Sequence, residues 1–582
     1  MSMMNVDTTL SSPQQFELGL NANLDCRILS SLSISFYQDE NLSIAWAGQL
    51  TCQGAPVNAD EFARHYQEHP NLAELYNQLA GRFWLLVVDK QQNCIQLVND
   101  PMSIQPCYYS LQNGCLYVSE SLDILKMSEQ LSCTLCNQAI YNYFYFHCIP
   151  APDTIYQECS KLEPANLLSF DSEGRVTTRN CFRPHFAKQI EDQKAAQHQC
   201  LDVIDKAVKQ QMSGHCGAFL SGGLDSSTVA GMLARHDENA KTFSIGFEVP
   251  EYDETAYAKI TAEHFSTQHQ VLYLKPEMAA KEFIKVAQYF DEPFGNSSAM
   301  AAYFCATFAK SHGIDHLLAG DGGDELFAGN SRYAKQKKFE VFHQAPSALQ
   351  VLPRLLFSHK PLRTLPLTKK IGSYIEQADV PLPDRLETYN FIQQFGAAQM
   401  FDENFLKQVD TEHPIQLKRK RYDECDSVDP VDKMLYLDWK FTLADNDLVK
   451  VSKMCELAGV TVDFPLLDRK LIDFSCTIPA EVKLPGGELR DFYKKSCKGF
   501  LADATLEKSK HGFGLPFGVW MKENQQLKDL AMQSLQSFRT RNIVKDSLIK
   551  QALAAHESVH AGYYGELIWI MVILELWLQG KE

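Results

Sequence analysis

The sequence is short of positive charge. Its 55 Lys and Arg stand against 72 Asp and Glu, a formal net charge of −17 over 582 residues. A broad nucleic-acid-binding face needs a basic surface, so no nucleic-acid partner is expected. The 17 cysteines are odd in number and form no regular framework. A chain of this length buries enough core to need no disulfides, and the thiols read as the reduced cysteines of a cytoplasmic protein. Cys133 and Cys136 make a C-x-x-C, but no second Cys or His pair stands at zinc spacing, so both read as ordinary thiols. The first 20 residues have neither a basic start nor an apolar centre, and a secretion signal is not expected there. The most apolar run, Leu567 to Leu578, is interrupted by Glu575 and is too short to span a bilayer. It is expected to be a buried helix, with no membrane involvement. Repeats and low-complexity tracts are missing as well.

What is present begins at Gly217. The stretch Gly217-Ala218-Phe219-Leu220-Ser221-Gly222-Gly223-Leu224-Asp225-Ser226-Ser227 runs from a short apolar strand into a polar turn, and a helical pattern follows at once. Such a turn offers backbone N–H groups and hydroxyls at a helix N-terminus, where the dipole favours an anion. Gly222 and Gly223 allow close backbone approach, and Ser221, Ser226 and Ser227 add donors. Asp225 fits a phosphate site if Mg²⁺ lies between its carboxylate and the phosphates. The loop lacks the G-x-x-x-x-G-K-[ST] pattern of a Walker A site. It resembles the pyrophosphate loop of enzymes that split ATP into AMP and pyrophosphate.

Around it the chain has two textures. Up to about residue 125, short strand-like runs such as Leu42–Ala47, Arg82–Val88 and Cys94–Val98 alternate with turn signals, broken by a helical stretch from Asn58 to Leu79. After a helix over Lys194–Met212, strands (Thr242–Phe247, Gln270–Leu274, His316–Leu318) alternate with helices (Glu254–His264, Met278–Phe290, Ala299–His312). That alternation predicts a doubly wound parallel sheet, whose ligands bind at the carboxyl ends of the strands. Ser221–Ser227, the strand end at Ile245 and the segment Ala319-Gly320-Asp321-Gly322-Gly323-Asp324-Glu325 then share one edge. Mg²⁺ held between Asp225 and Asp324 would balance the acids of that segment.

Together these motifs resemble the asparagine synthetase family, whose relatives include β-lactam synthetases and lasso-peptide cyclases. Further matches are Asp291-Glu292-Pro293, Asp445 to Met454, Pro465-Leu466-Leu467-Asp468 and Lys510-His511-Gly512-Phe513-Gly514-Leu515-Pro516. In the front half, Gly81-Arg82-Phe83, Asn99-Asp100, Tyr108-Tyr109 and Ser119-Glu120 resemble the family's glutaminase domain. The resemblance implies an Ntn-hydrolase-like sheet-sandwich domain over residues 1–190 and an ATP-pyrophosphatase-type synthetase domain with a helical C-terminal part over 191–582. The family's N-terminal Cys nucleophile is missing. Ser2 is the nearest substitute, and an inactive front domain is the expectation.

The same resemblance implies that Leu220, Ile245, Ala319 and Gly320 contact the nucleotide, and that Lys450 and Lys510 meet phosphate or substrate. Asp321 falls where the family has its catalytic Glu and is the candidate for accepting the amine's proton. Arg490 and Lys494 are candidates for stabilising negative charge. The chain also departs from the family. Gly486 stands where the family has a Lys four residues before its Arg, with Lys483 or Lys494 as substitutes. Thr461 and Asp463 replace an acid and a base. The implied activity is an amide-forming ligase that adenylates a small-molecule or peptide carboxylate, releases pyrophosphate and passes the acyl group to ammonia or another amine. Aspartate is one candidate substrate. A cyclising or amidating relative, a vestigial scaffold and another pyrophosphate-loop enzyme stay open, as does a homodimer.

Overall fold

A computed structural model describes residues 14–20, 24–343, 346, 374–508 and 514–581. The chain forms two compact units. One comprises Met1–Ile140 with Ile149–Phe182, the other Tyr141–Cys148 with Arg183–Glu582. The eight residues from Tyr141 to Cys148 thus belong to the second unit although they lie in sequence within the first.

Among the described residues the first unit has twelve strands: β1 (Gln14–Gly19), β2 (Asp25–Ser30), β3 (Ile34–Gln38), β4 (Leu42–Cys52), β5 (Ala55–Pro56), β6 (Leu79–Asp89), β7 (Cys94–Asn99), β8 (Tyr108–Gln112), β9 (Cys115–Ser119), β10 (Ser160–Lys161), β11 (Asn166–Asp171) and β12 (Val176–Asn180). They make one sheet in the order β1-β2-β9-β8-β10 and another in the order β12-β11-β7-β6-β4-β3, with β5 paired to β4. Side chains alternate across a strand, so Trp84, Leu86 and Val88 of β6 face one way and meet Ile28, Leu116 and Val118 of the other sheet in a shared core. The expected helix over Asn58–Leu79 is broken. An Asn58–Glu61 capping box starts the helix Ala59–Glu68, Pro70 follows its end, and a second short helix covers Leu72–Leu75.

The second unit is built on a parallel sheet of β13 (Cys216–Phe219), β14 (Lys241–Gly246), β15 (Gln268–Tyr273), β16 (His316–Leu318) and β17 (Thr461–Asp463), in the order β15-β14-β13-β16-β17. The helices Leu224–His236, Thr255–Phe265 and Ser298–Ser311 provide the crossovers. The strands and helices expected between residues 190 and 320 are found with ends shifted by one or two residues. β17 was not anticipated, because three residues of Thr-Val-Asp give no period to read. The chain leaves β13 to one side through β14 and to the other through β16, which places a crevice at the carboxyl ends of these strands.

The apolar run near the end sits in a longer helix than expected. Ala561–Lys581 has 21 residues, long enough by length and composition to cross a bilayer. Here it is a core element: Leu567 to Leu578 are buried, and it packs against the helices Pro276–Tyr289, Phe517–Glu523, Gln525–Phe538 and Asp546–Ser558. Glu575, fully buried within it, accepts hydrogen bonds from Arg541, Ser537 (2.6 Å) and Gln579 (2.7 Å).

Candidate functional site

A cleft of about 950 Å³ opens at the carboxyl ends of β13, β14 and β16. Its floor is the loop after β13. Ser221 Oγ and Ser226 Oγ lie 3.0 Å apart, the Ser221 N–H donates to Ser226 Oγ (3.2 Å), and the Gly223 N–H donates to Ser221 Oγ (3.3 Å). The two hydroxyls therefore hold the turn in shape before any ligand arrives. Gly222 has φ +72, and a Cβ there would come within 2.3 Å of the Ala258 nitrogen, so glycine is required. Ser227 departs from expectation. Its hydroxyl is fully buried and lies 2.9 Å from Thr261 Oγ1, so it braces two helices and does not face the cleft.

Leu220 and Ile245 line the apolar side with Phe219, Ala301 and Ala302. Gly320 lines the cleft, whereas Ala319 is buried beneath it, its N–H donating to the Asp463 carbonyl (2.9 Å). Arg490 bridges the two acids expected to share a metal, one in this loop and one in the segment after β16. Its Nη1 lies 3.3 Å from Asp225 Oδ2 and its Nη2 lies 2.6 Å from Asp324 Oδ1. The bridge is tight: Arg490 has a left-handed backbone (φ 56), and a Cβ on Gly329 would fall 1.7 Å from Asp324 Oδ1.

The donor set suits a hard divalent cation carried in with phosphate. Asp225 Oδ1 is buried with no hydrogen-bond partner, and one guanidinium leaves the two carboxylates under-compensated. No cluster of three or more metal-binding side chains occurs among the described residues.

Asp321 lies on the cleft wall. Burial pushes its carboxyl up to about 6, with Asp447 and Asp225 adding to the shift and Lys450 opposing it. Lys450 is held up against the effect of its own burial by Asp447, whose Oδ1 is 2.7 Å from its Nζ, and by Asp321 and Glu325. Asp447 ends a π-helical stretch, Trp439–Asp447, and Lys450 lies in the first turn of the helix that follows, Leu448–Ala458. The widened winding brings Leu443, Asp447 and Lys450 to one wall.

Of the two substitutes for the family's missing Lys, Lys494 lines the cleft. Lys483 does not: it is fully buried, 5.5 Å from the Phe186 ring. Gly486 also lies away from the cleft, in the turn Pro485–Gly487. Thr461 and Asp463 are likewise not in its wall. Thr461 Oγ1 meets His316 Nδ1 at 2.8 Å and Asp463 Oδ2 lies 3.5 Å from His316 Nε2, so both side chains of β17 engage His316 of β16.

Sequence reasoning missed Lys508. Its Nζ donates to the Ser221 carbonyl (3.3 Å) and pairs with Glu254 (3.1 Å), and burial pulls its ammonium down. The only available signal was its nearness to the Lys510–Pro516 motif. Lys510 and Ser2 lie outside the described residues.

Residues 199–579 match the family model for Asparagine synthase, and residues 63–181 match that for Glutamine amidotransferase domain. The chain is 27% identical over 566 residues to the glutamine-hydrolyzing asparagine synthetase 1 of Bacillus subtilis, covering 93% of this chain and 86% of that one. It is 24% identical to a putative glutamine-hydrolyzing asparagine synthetase of Mycobacterium bovis, over 87% of this chain and 77% of the other. A putative asparagine synthetase 2 of Methanocaldococcus jannaschii is 33% identical over 297 residues, 48% of this chain and 57% of that one. Parallel sheet, phosphate-type loop and these matches define a ligase class that carries an amidotransferase-like front domain. The chain belongs to the asparagine synthase family.

Proposed function

We propose that the protein is an AMP-forming amide ligase that activates a carboxylate with ATP and transfers the acyl group to ammonia or another amine. One observation carries this reading: the self-braced Ser221–Ser226 loop lines a single cleft at the point where the strand order turns, and there Arg490 ties the loop's own Asp225 to Asp324. The substrate carboxylate attacks the α-phosphorus of ATP, the bond to the β-phosphate oxygen breaks, and pyrophosphate leaves. Backbone N–H groups at Gly222 and Gly223, with the hydroxyls of Ser221 and Ser226, receive the pyrophosphate. Arg490, Lys494 and Lys508 stabilise the growing negative charge. Asp225 and Asp324 would hold Mg²⁺, which would supply charge neutralisation to the phosphates. Leu220, Ile245 and the neighbouring alanines pack on the nucleoside. The amine then attacks the acyl carbon, AMP leaves, and Asp321, ionised at neutral pH, accepts the amine's proton.

Aspartate is the first carboxylate to try, since the relatives named above are asparagine synthetases. The test is product analysis with ATP, Mg²⁺, ammonia and a carboxylate panel that includes aspartate. AMP and pyrophosphate in equal amounts, lost at least about a hundredfold in Asp225→Asn, are expected. Formation of ADP and orthophosphate, or an Asp225→Asn variant with full activity, would overturn the reading. Glutamine serving as well as ammonia would overturn the expectation of an inactive front domain.

A further inference from the structure

Lys508 is held over the pyrophosphate loop from outside the loop. Its Nζ donates to the Ser221 carbonyl (3.3 Å), lies 3.1 Å from Glu254 Oε1 and stands 4.9 Å from the centre of the Tyr257 ring. The first contact belongs to the loop. The other two come from one helix, Thr255–Phe265, which Glu254 precedes. That helix joins both parts of the site. On the loop side Ala258 backs Gly222, and Thr261 Oγ1 meets Ser227 Oγ at 2.9 Å. On the Lys508 side the same Thr261 Oγ1 lies 3.3 Å from Thr505 Oγ1, and His264 Nε2 lies 2.9 Å from the Phe500 carbonyl. Thr505 belongs to the helix Asp503–Glu507, which Lys508 follows. Glu254 therefore stands at the start of the element that ties the Lys508 segment to the loop.

Glu254 also lines the cleft, so a carboxylate faces a site that takes phosphate. Uncovered, it would repel that ligand. Lys508 covers it. The Lys508 side chain is 5% exposed, so its ammonium has lost most of its water. Burial pulls that ammonium down, Glu254 opposes the pull, and Arg490 adds a smaller push in the direction of burial. Around them, Tyr257 presents its ring, Glu507 beside Lys508 is exposed, and Asp225 is engaged by Arg490. Glu254 is thus the acid that keeps Lys508 both in place and charged. Without that partner, a flexible four-carbon side chain loses its position as well as its proton.

We propose that Glu254 is a positioning residue of the nucleotide site, seating Lys508 on the pyrophosphate loop and yielding its ammonium to the phosphates of ATP. The inference rests on the ligase reading above. When ATP enters, Lys508 Nζ keeps the Ser221 carbonyl, and a phosphate oxygen replaces Glu254 as its counter-ion. The Glu254 carboxylate, 17% exposed, is then met by water. Glu254 itself touches no reacting atom. Its effect on ATP passes through Lys508, so it shows in how nucleotide binding depends on pH and in what an arginine at 508 restores.

The probe is α,β-methylene-ATP with Mg²⁺, an analogue that cannot release pyrophosphate, titrated calorimetrically into the full-length protein. The range is about pH 7.5 to 9.5, above the phosphate titration near 6. Wild-type affinity should fall as pH rises and Lys508 loses its proton. In Glu254→Gln the fall should begin about one pH unit lower. Adding Lys508→Arg, whose guanidinium stays charged, should abolish the fall and bring affinity at pH 7.5 to within about threefold of wild type. Lys508→Met alone should bind at least about tenfold more weakly at pH 7.5. A Glu254→Gln protein that binds more tightly at every pH with the fall unmoved would show that Glu254 merely repels phosphate, and would overturn the proposal. So would weak binding at every pH that Lys508→Arg does not restore, or a Lys508→Met protein that binds like wild type. The Lys508 variants keep the test decisive if Glu254→Gln does not fold. Wild-type protein that binds no analogue and forms no AMP would sink the ligase reading itself, and this proposal with it.

Discussion

Asp321 shows how much a single carboxyl depends on its neighbours. Burial raises it to about 6 while Lys450 holds it down. Only the ionised form accepts a proton, so amide formation at a fixed concentration of free ammonia should fall as pH drops through about 6. Lys450→Met removes the opposing charge and should move that acid limb upward by about one unit, while Lys450→Arg should leave it in place. An acid limb unmoved in Lys450→Met would disprove the coupling. Stability carries the opposite sign. A carboxyl whose folded value is raised favours the fold while protonated, and that contribution is lost as pH rises through about 6. Asp321→Asn should therefore flatten this part of the stability profile.

At this scale the sequence was informative wherever a motif dictated chemistry. Ser221, Ser226, Asp225, Asp321, Asp324 and Arg490, singled out from motifs and from the resemblance, all line one cleft. It was uninformative wherever orientation mattered. Ser226 and Ser227 are adjacent and identical, yet helical geometry turns one hydroxyl to the loop and the other to Thr261. Lys508 was invisible because a single Lys in a polar stretch has no signature until the fold sets it against the Ser221 carbonyl.

At the scale of elements, the parallel strands were legible from alternation of strand and helix, whereas β17 was too short to show any period. The π-helical stretch Trp439–Asp447 has no sequence signature, since its extra residue per turn serves the cleft wall and no repeating pattern. The helix Ala561–Lys581 is the element most exposed to a single substitution. Glu575 is fully buried, and Arg541 supplies its countercharge. Arg541→Met should cost about 3–5 kcal/mol, because it leaves a buried charge uncompensated. Adding Glu575→Gln should recover most of that loss. Urea denaturation of the two variants measures both steps, and equal midpoints for wild type and Arg541→Met would refute the assignment.

For the whole molecule, no signal in the sequence announced that Tyr141–Cys148 would join the second unit. In the structure most of them lie in the helix Asn137–Phe146. In the second unit Tyr143 donates to the Ile570 carbonyl (2.8 Å), the Gly295 N–H donates to the His147 carbonyl (2.7 Å), and Phe144 packs on Phe401 at 5.2 Å. Tyr141, Tyr143, Phe144 and Tyr145 are all buried. Each large aromatic removed from a core costs about 3–5 kcal/mol, against a total stability of about 5–15 kcal/mol. A chain truncated to residues 183–582 should therefore not form a native second unit. Circular dichroism and nucleotide binding of the purified fragment test this, and a cooperative, ATP-binding fragment would show that the segment is dispensable.

The buried helix Ala561–Lys581 has a consequence for the nascent chain. Every helix it packs against precedes it in the sequence. Pro276–Tyr289 is synthesised roughly 270 residues earlier. At about 5–20 residues per second, its apolar face waits roughly 15 to 55 s for the partner that covers it. During translation Phe283, Val286 and Ala287, all buried at the end of folding, remain without that cover. The second unit must then close after most of its length has left the ribosome. Holding chaperones should therefore raise its yield in a cell without changing the stability of the finished fold.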